Sequence, residues 1–364
     1  MTLNQIQARK DALTDAENVA IQPGDLAEGA IRLEVESFSV TANNITYAVV
    51  GDGFGYWNFF PPAGADADGK GIVPMWGHAK VIESNSDEID VGERVYGYLP
   101  MATHLDVIPG KVSDSSFMDM AEHRQPMSPI YNQYSRLAAD PEHDPAREAE
   151  RMIYGPLFKT GFLIEYFMRK EGWFDATEVI MTSASSKTAM GLASVAKQNS
   201  PDIKRIGLTS EANVEFVEET GLYDDVYTYA EIGTLSLNDC VTVDFAGNAE
   251  VLGKLHEHFN AMLKYSCLVG ATHIEARSSF NQDGELPGPK PTLFFAPDHA
   301  VAFFKEHGPV EGGKLVAATW HAFLDSVEGE VEIVKLKGLD AARETFLEMV
   351  GGSVDPAKGI VIEP

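Results

Sequence analysis

The seven residues "SASSKTA", 183 to 189, bring small side chains, hydroxyls and a lysine together between an apolar strand pattern, "EVIM", and a helical one, "KTAMGLASVAK". That is the layout of a dinucleotide-binding turn, in which glycines allow a tight bend, approach of a diphosphate and close packing of helix on strand. The glycines are missing here. What holds the charge in such a turn, however, is the set of backbone N–H groups at the helix N-terminus, helped by the helix dipole. Ser183, Ala184, Ser185 and Ser186 are small enough to keep that approach open, Ser185, Ser186 and Thr188 add hydroxyls, and Lys187 adds a cation. Ser185 or Ser186 would serve equally well as an ordinary helix N-cap. Their place after the first strand of an alternating region favours the cofactor.

The tip of the next strand helps to choose it. NAD sites usually carry Asp or Glu there for the ribose hydroxyls. "GLTSEAN" instead ends its strand in Thr209 and Ser210, with Asn213 nearby and Glu211 just beyond. This predicts NADP(H), with Arg205 or Lys187 as partner of the 2′-phosphate, although Ser210 also fits a simple helix cap. Ligands of such sheets lie outside the carboxyl ends of strands, which directs Phe245, Ala246, Gly247 and Asn248, then Gly270, Thr272 and His273, toward a nicotinamide. Gly247 and Gly270 are equally plain turn glycines, and His273 equally structural.

These residues need an alternating scaffold, and the chain supplies one from residue 178 onward. "EVIMTSA", "IKRIGLTS", "DDVYTY", "CVTVDFAG" and "YSCLVGATH" read as strands separated by helical segments, which implies a parallel sheet covered on both faces. Residues 30 to 110 read differently, as short strands with turns, among them "AIRLEVESFSV" and "ERVYGYLP". Between the two regions, residues 138 to 152 are polar with two prolines and suit a surface connection, followed by an apolar helix in "PLFKTGFLIEYFMRKEGW".

A formal charge of -27 speaks against nucleic acid or an anionic membrane as partner, since both need clustered Lys and Arg. The N-terminal stretch lacks the apolar core of a secretion signal, and no apolar run approaches the roughly 20 residues of a membrane span. A cytoplasmic protein is expected. Cys240 and Cys267 both fall in strands of the same sheet and read as buried structural thiols.

The segments "NNITYAVVGD" (43 to 52), "GYWNFFP" (55 to 61), "VPMWGHAKV" (73 to 81), "GERVYGYLPM" (92 to 101), "SASSKTA", "GLTSEANVEFVEETGLYDDVYTY" (207 to 229) and "VDFAGNAEV" (243 to 251) resemble a quinone-oxidoreductase-like family of unknown function within the medium-chain dehydrogenase/reductase superfamily. The resemblance implies an α/β fold: a GroES-like β domain over 1–150, a Rossmann doubly wound parallel sheet over 151–305, and a C-terminal segment, 306–364, that returns to the first domain. It implies a homodimer through "KPTLFFAP", 290 to 297. Zinc-dependent relatives carry a Cys where this chain has Asn43 and Asn44, and an acid after Gly-His where it has Ala79. With two cysteines in all, neither zinc site of those relatives can be built, so no metal is expected.

The resemblance places Tyr47 and Asn44 where related reductases bring donors to the nicotinamide edge. Tyr47 is the first choice for proton transfer and His78 the second, with His104, His123, Arg124 and Tyr131 behind them. Tyr47, Phe54, Tyr56, Trp57, Phe59, Phe60, Trp76 and Tyr98 form either a core or a pocket for a flat aromatic substrate. Two activities follow. One is hydride transfer between NADPH and a bulky aromatic or carbonyl compound, a ketone, enone or quinone. The other is a non-redox C–C lyase that releases formaldehyde from lignin-derived aromatic dimers, an activity with which the family has been linked. A cofactor-sensing protein without turnover is the third.

Overall fold

Strand patterns of two kinds build two compact units, Met1–Ile153 with Glu332–Pro364, and Tyr154–Val331. The computed structural model describes residues 3–64, 66–269, 286–352 and 355–364.

In the first unit the alternating segments pair antiparallel. Ile31–Val40, Pro74–Ser84, Arg94–Pro100, Gln133–Arg136, Ser116–Asp119 and Pro109–Gly110 lie side by side in that order, and His104–Val107 pairs with Ile31–Val40 as well. A hairpin of Leu3–Arg9 and Ala12–Ile21, joined by Lys70–Gly71, forms a separate small sheet. The chain's end extends the large sheet: Lys358–Glu363 runs antiparallel to Ile31–Val40 and parallel to Glu332–Lys337. This is the GroES-like part, with its C-terminal return. The return starts at Glu332, not at 306, because helix Pro309–Ser326 belongs to the second unit, where it packs on helix Lys187–Asn199.

Two expectations for this unit change. The segment "ANNITYAV" is a helix, Ala42–Val49, rather than another strand or turn. The connection 138 to 152 is not all surface, since Asp140 and Arg151 form a buried ion pair and helix Glu148–Lys170 has already begun. Pairing of the two charges makes that burial tolerable.

In the second unit all neighbouring strands run parallel, in the order Asp225–Thr228, Lys204–Thr209, Glu178–Met181, Cys240–Asp244, Leu263–Leu268, Thr292–Leu293. In chain order this is 3-2-1-4-5-6, the Rossmann arrangement, whose order reverses between the first and fourth strands. Those two strands are buried throughout, as a sheet covered on both faces demands. Cys240 and Cys267 are free, buried thiols in adjacent strands. Helix Lys187–Asn199 approaches helix Glu148–Lys170 through two glycines: a Cβ on Gly161 would lie 2.4 Å from the Leu192 nitrogen, and one on Gly191 3.0 Å from Phe158 Cα. So the close packing that the usual third glycine gives between helix and strand appears here between two helices.

Candidate functional site

The first parallel strand ends and the chain bends at once. Ser183 takes φ 48°, a left-handed conformation that an L residue enters at about 1–2 kcal/mol and glycine enters freely. Hydrogen bonds fix the bend. Ser183 N–H donates to the Tyr229 hydroxyl (3.0 Å), Ser186 N–H to the Ser183 carbonyl (2.7 Å), Ala184 N–H to the Leu208 carbonyl (3.0 Å), and the Tyr223 hydroxyl to the Ala184 carbonyl (2.8 Å). Ser186 is the N-cap of the helix and accepts Ala189 N–H at 3.3 Å. Ser185 is buried and accepts from Asn213 Nδ2 at 3.2 Å, tying the bend to the neighbouring strand tip. Each serine keeps its own O–H to donate. The amides ahead of Ala189 have no acceptor inside the helix, and Ser183, Lys187 and Thr188 stand half-buried beside them.

At the second strand's tip Thr209 is buried, whereas Ser210 is exposed and its hydroxyl makes no capping bond to Glu211–Asn213. The cap alternative for Ser210 falls away. So does Arg205 as a 2′-phosphate partner. It sits at the amino end of its strand, buried, with its guanidinium on Asp224 (2.7 Å) and on the carbonyls of Leu222 (3.1 Å) and Ile203 (3.3 Å).

Ala246 and Gly247 are also turned inward. Their amides donate to the Asp244 carboxylate at 3.2 Å each, and those of Phe245 and Ala246 to the Thr182 hydroxyl at 3.0 and 3.3 Å. Thr182 in turn donates to Asp244 at 2.5 Å. Burial pushes the Asp244 carboxyl above its usual range, and these hydrogen bonds oppose the rise. Thr182 and Asp244 thereby fasten the first strand to the fourth where the order reverses. Neither was singled out from the sequence, although each is the polar residue that closes an apolar strand. Gly270, Thr272 and His273 lie outside the described residues.

In the first unit, helix Ala42–Val49 sets Asn43 one turn before Tyr47, so that Asn43 Nδ2 donates to the Tyr47 hydroxyl at 2.7 Å. Trp76 Nε1, from strand Pro74–Ser84, donates to the same oxygen at 3.1 Å. An indole N–H can only donate. With two donors on its oxygen, the phenol has only its own proton left to offer. Burial raises the Tyr47 pKa and keeps that proton on. The group is suited to polarise a carbonyl or protonate a carbanion.

Asn44 does different work. Its Oδ1 accepts from Thr41 N–H (2.6 Å) and from the Thr41 hydroxyl (3.2 Å), and its Nδ2 donates to the Pro74 carbonyl (2.8 Å), so it builds the start of the helix. Its neighbour Asn43, unremarked for this role in the sequence, is the one that meets Tyr47; the i, i+4 spacing would have shown it had the helix been foreseen. His78 is fully buried, beside the rings of Tyr96 (5.1 Å) and His143 (6.5 Å), and burial pushes its pKa down to about 3.

The aromatic residues form a core. Tyr47, Tyr56, Phe59, Tyr98 and Tyr131 pack ring against ring with centroids 4.6–6.3 Å apart, leaving Phe54 and Trp76 half-buried at the rim. Trp57 is wedged between Gly51 and Gly71, where a Cβ would come within 2.2 or 2.3 Å of the indole. Arg124, buried with Asp119 (2.9 Å), braces the cluster through the Tyr134 hydroxyl (3.0 Å) and the Tyr131 carbonyl (2.6 Å). His123 contacts the Phe59 carbonyl, and His104 the Thr103 hydroxyl. Among the described residues no group of three or more His, Cys, Asp or Glu could hold a metal ion, and no helix is long and apolar enough to cross a membrane.

No curated protein matches this sequence. Solved structures do. CurA from Vibrio vulnificus is 14% identical with a TM-score of 0.59, over 99% of this chain and 98% of its own. The quinone oxidoreductase from Coxiella burnetii is 14% identical with a TM-score of 0.56 over the whole of both chains. The yhdH oxidoreductase from Salmonella enterica, in complex with NADP, is 13% identical with a TM-score of 0.56, again over both whole chains. At such identities the likeness establishes the fold, that of the medium-chain dehydrogenase/reductases. A model of the family described as "Protein of unknown function (DUF2855)" matches residues 38–355. The chain therefore belongs to the DUF2855 family, and its fold is like that of the quinone oxidoreductase.

Proposed function

We propose that the protein is an NADP(H)-dependent reductase that passes hydride to a bulky aromatic or carbonyl substrate, a ketone, enone or quinone, with Tyr47 as proton donor. The observation that carries this reading is the left-handed bend at Ser183, which opens onto a capped helix N-terminus at the end of the first strand of a 3-2-1-4-5-6 sheet. At Ser183 the bend uses a left-handed conformation that glycine, usual in a diphosphate-binding turn, enters freely.

The residues fit the cofactor. Amides ahead of Ala189 and the O–H groups of Ser183, Ser185 and Ser186 would hold the diphosphate, and Thr209, Ser210 and Asn213, at the second strand's tip, would lie toward the ribose end. With no acid closing the strand and the Ser210 hydroxyl exposed, that end suits a 2′-phosphate, and Lys187 is the cation that the turn itself carries. Structures similar in fold include CurA in complex with NADPH and yhdH in complex with NADP, which supports this choice. Bound NADPH supplies the hydride. Tyr47 holds the proton, oriented by Trp76 and Asn43, and the half-buried Phe54 and Trp76 offer apolar surface to a substrate ring. The scheme needs no zinc. We further propose a homodimer through residues 290 to 297, whose strand Thr292–Leu293 is the last of its sheet among the described residues; light scattering that shows a monomer at micromolar concentration would reject it.

The deciding measurement follows NADPH absorbance and product together on quinones, enones and an aromatic dimer. Loss of NADPH in proportion to product is expected. Formaldehyde released from the dimer without NADPH loss would replace the reductase by a lyase, and tight NADPH binding without turnover of any substrate would leave a binding protein.

A further inference from the structure

Register places six side chains on one face of the antiparallel sheet in the first unit. Ser39, Trp76 and Tyr98 form one row and Ser37, His78 and Tyr96 the next, because residues two apart on a strand share a face. Among the described residues, three of the six carry buried polar atoms with no hydrogen bond of good geometry: Ser39 Oγ, both ring nitrogens of His78, and the Tyr98 hydroxyl, which still lies near enough to the Tyr47 phenol to act on it as a donor. All three side chains are at most 2% exposed. Buried polar groups are satisfied in the great majority of cases, by protein or by ordered water that bonds two to four of them. Four orphans on one face of the sheet, in two adjacent rows, therefore call for ordered water.

The rows also connect two places already described. At one end His78 faces His143, which bonds Glu148 at 2.9 Å, and Arg94 and Arg151 are the other charges near the imidazole. At the other end the ring of Tyr98 lies 5.4 Å from that of Tyr47.

We propose that Ser39, His78 and Tyr98 bind ordered water, and that this hydrated row carries protons from the His143–Glu148 pair to Tyr47. The second half rests on Tyr47 being the proton donor; the water site does not. After Tyr47 gives up its proton, its oxygen takes one from a neighbouring water. That water takes one from a His78 nitrogen, the opposite nitrogen takes one from the next water, and the His143–Glu148 pair, itself reprotonated from solvent, returns one to that water. The imidazole ends neutral, and one proton has entered.

The test needs no substrate. In protein labelled with 13C at tyrosine Cζ and dissolved in mixed light and heavy water, hydroxyl exchange is read residue by residue. Tyr134 is the internal control, fully buried with its hydroxyl bonded to the Tyr98 carbonyl at 2.7 Å. Tyr98 should exchange at least about ten-fold faster than Tyr134, whose proton must await local opening. His78→Phe should slow Tyr98 to the rate of Tyr134, and His78→Gln, which keeps a donor and an acceptor, should restore it. Equal rates for Tyr98 and Tyr134 in the wild-type protein overturn the water site, whether or not the variants fold. Unchanged Tyr98 exchange in His78→Phe overturns the part given to His78. Loss of the reductase reading alone would leave these rates as they are.

Discussion

The Ser183 bend and the Tyr47 hydroxyl both present donors, but they are held by different parts of the chain. At the bend the donors are largely main-chain amides, and side chains such as Ser186, Tyr223 and Tyr229 act by fixing the backbone. At Tyr47 the donor is a side chain, and its direction is set by two other side chains, Asn43 and Trp76, from separate elements. A backbone device tolerates a change of residue as long as the path survives, which is how serine can stand where glycine is usual. A side-chain device does not tolerate loss of its one reactive atom.

That contrast can be broken, and the largest effect is expected at Tyr47. Tyr47→Phe should lower turnover by roughly 10²–10⁴-fold, the range for a lost general acid, with NADPH affinity unchanged. Wild-type rates in steady-state assays of this variant would remove Tyr47 from the mechanism. At the bend, replacing Ser185 and Ser186 together by Glu sets like charges against the diphosphate. At about 4 Å and an effective dielectric near 20 this amounts to about 4 kcal/mol, or nearly a thousand-fold in Kd. Unaltered NADPH titration of the double variant would mean that the cofactor does not lie there.

Acid should separate the two regions further. Burial raises the Glu148 carboxyl, but hydrogen bonds from Arg94 and His143 outweigh it and bring the carboxyl down to about 2. A carboxyl depressed on folding contributes stability above its unfolded pKa and loses it as pH falls through the folded one. Thermal melts should therefore show the wild-type protein weakening between about pH 4.5 and 2, and Glu148→Gln should flatten that part of the profile. A profile identical in both proteins would show the carboxyl to be unimportant there. The smallest effect belongs to the backbone. Ser183→Gly relieves the left-handed strain yet frees the unfolded chain, so the net change should stay within about 1 kcal/mol, whereas Ser183→Val should destabilise by more. Denaturant midpoints that rank the two variants the other way would show that the bend does not depend on its left-handed residue.

How much could be read in advance follows the same division. The alternation of apolar strand and helix after residue 178 fixes a parallel sheet, because strands buried on both faces need continuous apolar runs; the turn and the strand tips fall where those runs end. The resemblance supplied the first unit's fold. What stayed hidden there came from long-range packing. Asn44 was a candidate donor until Pro74 and Thr41 claimed it, the aromatic residues fitted either a pocket or a core until most of their rings were found packed on one another with Phe54 and Trp76 left at the rim, and Arg205 looked available until Asp224 was placed beside it. Local order along the chain sets which backbone amides face outward, because a helix start always leaves its first amides unpaired. Which side-chain atoms remain unpaired depends on cross-strand register and on contacts between residues far apart in sequence, as with Ser39, His78 and Tyr98, and only the tertiary structure decides that.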